Sequence, residues 1–325
     1  MAARSGIVLM VALAACPPEV LPAQAGASAD TTSRTQLARL LLGFEYALRD
    51  HPPADAARAG LSRAFDAATL AFFGGRTDAA RRTLDSLAAV VEPDSARRAE
   101  YARAADRALA RAASDRRTLR TPTGAEIPYR VRVPSGRAHP RALLVALHGA
   151  GGDERMWFES YGAGALVPLA DARDLVVVTP LTTAMRDHAT LDAIVEAVAA
   201  ETPIDRRRVL LLGHSLGAGT AWRLTGQRGA MLAGVACLAG PCGVVAAGDS
   251  AVRPPLFAAA GALDPLAAPA RVEAAARAAS VAGRIVEYRL VPDQGHTLMV
   301  PAILPAALDW LVARAPSARE YRAEP

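Results

Sequence analysis

From Thr121 onward, short runs of apolar and β-branched residues alternate with segments of helical spacing. This alternation is typical of a mainly parallel sheet with helices on both faces, because each parallel strand needs a crossover connection to the next. The sequence therefore predicts a doubly wound α/β domain over residues 121–315. Its strands are expected over residues 126–133, 143–147, 176–179, 209–212, 235–238, 256–260 and 285–291, and its helices over 191–200, 218–225, 270–279 and 303–313.

Residues 35–118 have a different texture, rich in Ala, Leu and Arg. Leu37, Leu41 and Phe44 recur at steps of three and four residues, which places them on one helical face. Breaks at a double proline and a double glycine divide the segment, so we expect an all-α domain of about four helices, arranged as two hairpins. A faint likeness to a tetratricopeptide pair, without a sustained repeat, leaves two roles open: packing within this protein, or binding a protein partner.

The N-terminus has the pattern of an export signal. Arg4 precedes an apolar run over residues 6–15, which has the length of a signal-peptide core. A lipobox-like stretch ends at Cys16, which would carry a lipid anchor, and an alternative small-residue cleavage site ends at Ala25. Either reading predicts export to a bacterial periplasm or outer envelope, or secretion. The remaining expected segments are a signal peptide over residues 1–25, a linker over 26–34 and a tail over 316–325.

Composition argues for a globular protein without a nucleic-acid partner. The 325 residues are 52% hydrophobic, which is enough for a sizeable core. The net charge is +5, but all 37 basic residues are Arg, and they are scattered among acidic residues rather than clustered. A scattered charge of this kind is typical of a solvated surface.

Two further cysteines, Cys237 and Cys242, lie around a Gly-Pro turn. Export would place them where a disulfide can persist, whereas Cys237 is equally suited to be a small core residue on a strand. Three cysteines without clustered histidines do not indicate a zinc site.

The stretch Gly213-His214-Ser215-Leu216-Gly217 matches the pattern G-x-S-x-G. An apolar strand is expected before it and a small-residue helix after it, which is the setting of a nucleophile elbow. A serine at such a turn projects above the sheet, and the following helix directs backbone N–H groups toward developing negative charge. Ser215 is therefore the candidate nucleophile.

A serine nucleophile needs a base, and a third group that orients the base. His296 follows the last predicted strand, and Asp264 follows the strand before it. Along the chain, the three residues therefore come in the order Ser, Asp, His. This is the order that accompanies a nucleophile elbow. Asp293 is a rival for the acidic position, because it lies three residues before His296, although it could instead stabilise the loop through an Asx turn.

An oxyanion hole is expected from two backbone N–H groups. Leu216, the residue after the nucleophile, supplies the first. The glycine-rich stretch after the strand at 143–147 supplies the second, from Ala150 or alternatively Gly151. This stretch lacks the G-K-[ST] ending of a phosphate loop, so no nucleotide cofactor is expected.

These residues resemble those of the α/β-hydrolase superfamily over about residues 121–315: His148-Gly149, the elbow at Gly213–Gly217, Asp264 and His296. The chain looks most like compact secreted esterases, and within the superfamily it is similar to the phospholipase/carboxylesterase and feruloyl-esterase-like groups. The resemblance implies hydrolysis of carboxylic esters without a cofactor or metal. The predicted helical domain departs from those groups.

Substrate preference is weakly encoded in the sequence. Trp157, Phe158 and Tyr161 follow the oxyanion loop and are expected to form an aromatic wall for an acyl or aryl group, although loop packing explains them equally well. The segments after the strands are short, which argues against the inserted lid of an ordinary lipase. The expected partner is a small-molecule or polymer-linked ester. Two alternatives remain open: a serine peptidase on the same fold and a non-catalytic envelope binding protein.

Overall fold

The computed structural model describes residues 31–121, 124–136, 139–240 and 253–315. The predicted signal peptide with Cys16, most of the predicted linker, Cys242 and the predicted tail lie outside these residues. None of the helices in the described ranges combines the length and apolar character needed to cross a membrane.

The described chain begins with four helices, as expected: α1 (Thr31–Asp50), α2 (Asp55–Phe73), α3 (Thr77–Val91) and α4 (Ser95–Ser114). Asp94 caps α4, because its side chain accepts the N–H of Ala96 at 2.8 Å. We call these four helices the helical region.

The helical region is not built from two separate hairpins. Helix α1 packs against both α3 and α4, and α2 packs against α3. This is possible because α1 carries apolar residues on two faces. Phe44 packs with α2 and α3 residues, and Leu42 packs with α4 residues.

An eight-stranded sheet follows within the described residues, in the order β1-β2-β4-β3-β5-β6-β7-β8. Strands β1 and β2 are antiparallel to their neighbours, and the others are parallel. The strands are β1 (Arg117–Arg120), β2 (Glu126–Arg132), β3 (Arg141–Leu147), β4 (Val176–Pro180), β5 (Ile204–His214), β6 (Leu232–Leu238), β7 (Leu256–Gly261) and β8 (Val286–Val291).

Helices cover both faces of the sheet, and a buried apolar layer lies beneath each. One layer includes residues of α6, α7 and α8, and the other includes residues of α5 and α9. The predicted doubly wound α/β fold is confirmed. The helices are α5 (Leu166–Asp171), α6 (His188–Glu201), α7 (Leu216–Arg228), α8 (Pro269–Val281) and α9 (Met299–Arg314).

Strand β1 was not among the strands predicted from the sequence. Its residues pair with β2 in antiparallel register, with Thr118 opposite Pro128. The strand lies at the edge of the sheet, and its side chains are mostly exposed. An exposed edge strand needs no apolar run, so it lacks the pattern that identified the buried strands.

Candidate active site

The elbow predicted at Ser215 is formed between β5 and α7. Ser215 has φ 55° and ψ −115°, a left-handed conformation that is strained for a residue with a side chain. The turn is tight enough to bring Gly217 against β3, where a Cβ atom would lie only 2.1 Å from the carbonyl oxygen of Leu147. A glycine is therefore required at position 217, and the strain is concentrated at the serine.

The structure brings Ser215, His296 and Asp264 together. His296 Nε2 lies 2.8 Å from Ser215 Oγ, and its Nδ1 lies 2.9 and 3.0 Å from the two carboxylate oxygens of Asp264. Because a carboxylate only accepts hydrogen bonds, Nδ1 carries the proton and Nε2 is left to accept the proton of the serine hydroxyl. Both His296 and Asp264 are buried, so the pair is shielded from water.

Local backbone structure explains the position of the acid. Asp264 lies in a turn directly after β7, and its Oδ1 accepts the N–H groups of Leu266 and Ala267, each at 2.8 Å. The rival Asp293 is exposed in a turn after β8, with φ 56°. The geometry therefore favours Asp264 as the partner of His296.

The candidate oxyanion residues follow two neighbouring parallel strands. β3 and β5 pair in register, with Leu147 opposite Gly213, so the loop at Ala150 and Gly151 and the start of α7 at Leu216 lie at the same edge of the sheet. The first N–H groups of a helix have no acceptor within the helix. This placement is suited to two N–H groups directed at one oxygen.

A hydrogen-bonded chain of buried side chains, which no pattern in the sequence predicted, connects the oxyanion loop to the base loop. Tyr161 Oη accepts the N–H of Gly149 at 3.0 Å and lies 2.8 Å from His214 Nδ1. His214 Nε2 lies 3.0 Å from the carbonyl oxygen of His296. Burial lowers the pKa of His214 well below its ordinary value, so the ring is neutral. It accepts from Tyr161 at Nδ1 and donates to His296 at Nε2.

The aromatic wall expected from Trp157 and Phe158 is not formed. Both side chains are buried in the layer beneath α5 and α9, and neither borders the cavity at Ser215. Trp157 stacks edge-on against Tyr161, with ring centroids 4.6 Å apart. Tyr161 does border the cavity, but it is 1% exposed and acts through its hydroxyl group rather than as an open wall. The three aromatics therefore pack and position the oxyanion loop.

His148, which precedes the oxyanion loop, has a structural role. His148 is buried, its Nε2 accepts the N–H of Thr182 at 3.0 Å, and its Nδ1 lies 2.8 Å from the carbonyl oxygen of Gly149. Burial lowers its pKa.

Helix α2 holds the loop that carries His296. Ser62 Oγ accepts the N–H of Gly295 at 2.6 Å, and both oxygens of Asp66 lie 3.1 Å from the N–H of His296. The contact is so close that a Cβ atom on Gly295 would lie 1.7 Å from Asp66 Oδ2. Burial raises the pKa of Asp66 to about 6, although the hydrogen bond from His296 opposes the shift.

Other contacts attach the helical region to the rest of the molecule. Leu298, two residues after the candidate base, is buried in the same apolar cluster as Phe44 and Phe65. On α1, Glu45 is hydrogen bonded to the backbone at Gly162 and Ala163, and burial raises its pKa to about 8. The helical region thus shares a core with the sheet domain beside the candidate site.

A cavity of about 440 Å³ lies over Ser215, within the range of small-molecule pockets. Its floor is formed by the oxyanion loop, Ser215 and His296. Its opposite walls come from the helical region, chiefly from apolar residues of α1 and α2. The helical region therefore covers the candidate active site.

The disulfide between Cys237 and Cys242 stays a prediction, since Cys242 lies outside the described residues. Cys237 is buried in β6, with its Sγ 3.6 Å from the carbonyl oxygen of Ala218.

The fold and the arrangement of Ser215, His296 and Asp264 together define an α/β-hydrolase type of protein. The model of the alpha/beta hydrolase family matches residues 144–324, more than half of the chain. The chain belongs to this family, which confirms the resemblance found in the sequence. Helices α1–α4 precede the matched residues.

Solved esterase structures share the fold. An S-formylglutathione hydrolase (FrmB) from Staphylococcus aureus is 17% identical, with a TM-score of 0.50, and the match covers 61% of this chain and 95% of that one. A thermostable esterase is 21% identical, with a TM-score of 0.51 and coverage of 62% and 64%. A ferulic acid esterase from Anaeromyces mucronatus, solved with ferulic acid, is 14% identical, with a TM-score of 0.51 and coverage of 62% and 89%. A search of curated protein sequences found no significant match to this chain.

Proposed function

We propose that this protein is a serine hydrolase that cleaves carboxylic esters through an acyl-enzyme intermediate. The observation that carries the proposal is the position of His296, which lies 2.8 Å from Ser215 Oγ and 2.9 Å from Asp264 at its other nitrogen. A nucleophile, a base and an orienting carboxylate within hydrogen-bond reach are the components that acyl transfer needs.

In the first half of the reaction, Ser215 Oγ attacks the ester carbonyl carbon while His296 Nε2 takes the hydroxyl proton. The carbonyl oxygen becomes an oxyanion, which the N–H groups of Leu216 and Ala150 stabilise, with Gly151 as the alternative donor. Asp264 holds the ring through Nδ1–H and stabilises its charged form. Collapse of the intermediate breaks the ester C–O bond, and His296 returns the proton to the departing alcohol.

In the second half, water takes the place of the alcohol. His296 removes a proton from the water, the hydroxide attacks the acyl-enzyme, and the carboxylic acid leaves as Ser215 regains its proton. Every step uses the side chains and backbone of the chain itself.

The experiment compares the full chain with Ser215→Ala on p-nitrophenyl butyrate, with Ser280→Ala as the matched control. Ser280 lies exposed on α8, on a part of the surface that does not border the cavity. Ser215→Ala is expected to lower kcat by at least about 10³-fold, because the nucleophile is lost, whereas Ser280→Ala stays near wild type. A fluorophosphonate probe is expected to add its mass to Ser215 in the wild-type protein.

Two outcomes would overturn the proposal. A wild-type protein that hydrolyses no ester and takes up no probe is not a serine hydrolase. Hydrolysis of the matched p-nitroanilide as fast as the ester would instead indicate a peptidase.

A further inference from the structure

We infer that the helical region forms an acyl-binding pocket, and that the preferred substrates are esters of apolar, medium-length carboxylic acids. This inference rests on the proposed function and adds the substrate class to it. It gives α1 and α2 a direct role in substrate selection. Both helices precede the residues matched by the family model.

The apolar walls of the cavity come from two helices. Leu37 and Leu41 of α1 and Phe72 and Phe73 of α2 all border the cavity, and each is only half buried. These side chains are therefore neither buried in the helical core nor on the outer surface. The unburied part of each of these side chains faces the space above Ser215. An apolar group of a bound ligand would cover this surface and so remove it from water.

The position of the phenylalanines distinguishes the acyl side from the alcohol side. A Cβ atom on Gly151 would lie 2.5 Å from Phe72 Cε1 and 3.5 Å from Phe73 Cε1, so both rings lie against the oxyanion loop. The substrate carbonyl is held at that loop. The alcohol must leave beside His296, because that residue supplies its proton.

Polar groups border the cavity beside both loops. Thr297 borders it next to the candidate base, and Asp153 and Arg155, which form an ion pair, border it just after the oxyanion loop. The side chains packed on the oxyanion loop itself are the rings of Phe72 and Phe73. The acyl chain is assigned to the space along these two rings, because it extends from the carbonyl and away from the departing alcohol.

The first experiment measures kcat/KM for p-nitrophenyl acetate, butyrate, hexanoate and octanoate, below the concentrations at which the longer esters aggregate. We expect a rise of about fourfold for each added methylene until the cavity is filled, which corresponds to about 0.8 kcal/mol per group. A second series varies the alcohol with acetate held constant, as ethyl, butyl and octyl acetate. It is expected to show little dependence on length.

Two variants that fill the cavity test the assignment to the helices. Ala38 on α1 and Thr69 on α2 both border the cavity and are half buried. Ala38→Leu and Thr69→Leu are each expected to lower the ratio of octanoate to acetate kcat/KM by about tenfold or more, since each adds carbon atoms where the end of the chain would lie. Either variant is sufficient if the other does not fold. The matched control is Leu70→Ala, on the same helix but outside the cavity, which is expected to keep the wild-type ratio.

The outcomes separate this inference from the proposed function. If wild type hydrolyses acetate but shows a flat acyl series, or if folded filling variants keep the wild-type ratio, the acyl-pocket assignment fails and the esterase proposal stands. Length dependence confined to the alcohol series would likewise overturn the assignment. If no ester is hydrolysed and no fluorophosphonate is bound, the proposed function itself fails.

Discussion

Both carboxylate oxygens of Asp66 lie 3.1 Å from the backbone N–H of His296. The side chain of the same histidine is hydrogen bonded to Asp264 through Nδ1, so two carboxylates hold one residue at two different points. Asp264 fixes the ring, and Asp66 fixes the backbone from which the ring projects. Asp66 belongs to α2, so the position of the candidate base depends on the helical region.

Removal of the Asp66 side chain should impair catalysis while leaving substrate binding largely intact. Asp66→Ala leaves the N–H of His296 without its acceptor, and a shift of the base by about 1 Å can cost about 100-fold in rate. We expect kcat to fall by about 10- to 100-fold with little change in KM. Asp66→Asn keeps one oxygen acceptor and should recover most of the lost rate. An Asn variant as slow as the Ala variant would contradict this role.

Asp66 should also make stability depend on pH. Its folded-state pKa is about 6 against an ordinary value of 3.8, so the folded protein holds this proton more tightly than the unfolded chain. The contribution of Asp66 to stability is therefore largest below about pH 4 and is lost as the pH rises through about 6. The total loss is at most about 3 kcal/mol.

The Asp66→Asn variant tests this linkage because its side chain does not titrate. Urea unfolding at pH 4 and pH 7 gives the free energy of unfolding of each protein at each pH. We expect the stability of the variant relative to wild type to increase by up to about 3 kcal/mol between these values. A difference that stays constant with pH would show that Asp66 has an ordinary pKa.

Substitution of the orienting acid should separate Asp264 from its rival. Asp264→Asn leaves His296 Nδ1 facing an amide, which favours the wrong tautomer of the ring, and kcat is expected to fall by about 10⁴-fold. Asp293→Asn changes an exposed side chain three residues from the base and should stay within a few-fold of wild type. Steady-state hydrolysis of p-nitrophenyl butyrate measures both. The opposite pattern would make Asp293 the third member of the catalytic group.

The chain from Gly149 through Tyr161 to His214 should support both stability and rate. Tyr161→Phe leaves a buried N–H group and a buried imidazole nitrogen without partners, which costs about 1–3 kcal/mol for each group. We expect a lower urea midpoint and a lower kcat, since the oxyanion loop loses an anchor. As the control, Tyr288→Phe alters a half-buried hydroxyl at β8, far along the sheet from the elbow. Equal effects in the two variants would refute the positioning role of Tyr161.

The residues at the strand ends could be predicted from the sequence because their signals are local. Ser215 lies between two glycines at the end of an apolar strand, and His296 and Asp264 each follow a strand of their own. In a parallel sheet, the carboxyl ends of neighbouring strands lie at the same edge. The order of the elements was therefore enough to place these three residues near one another.

The contribution of α2 was missed because it depends on tertiary packing. Ser62 and Asp66 lie one helical turn apart on the same face as Leu61 and Phe65, which are buried in the helical cluster. Two polar residues inside an apolar stripe are a usable signal for a buried polar partner. The sequence alone does not say that this partner is the loop at residues 295–296.

The sequence left two roles open for the aromatic residues after the oxyanion loop: a wall for the acyl group, and packing of the loop. Trp157 and Phe158 take the second role, because they turn into the apolar layer beneath α5 and α9. Large apolar side chains bury more surface there than they could beside an open cavity. The space they were expected to border is lined instead by Phe72 and Phe73.

The contact between Asp66 and residue 296 also sets an order of events during synthesis. The helical region leaves the ribosome before the sheet domain, with Asp66 in an otherwise apolar stripe, while the loop that supplies its hydrogen-bond donor is 230 positions away. A contact with so large a sequence separation forms late. The cavity over Ser215 therefore stays incomplete until β8 and α9 are in place. Complete burial of Asp66 and the pairing of Ser215 with His296 thus depend on the same late step of folding.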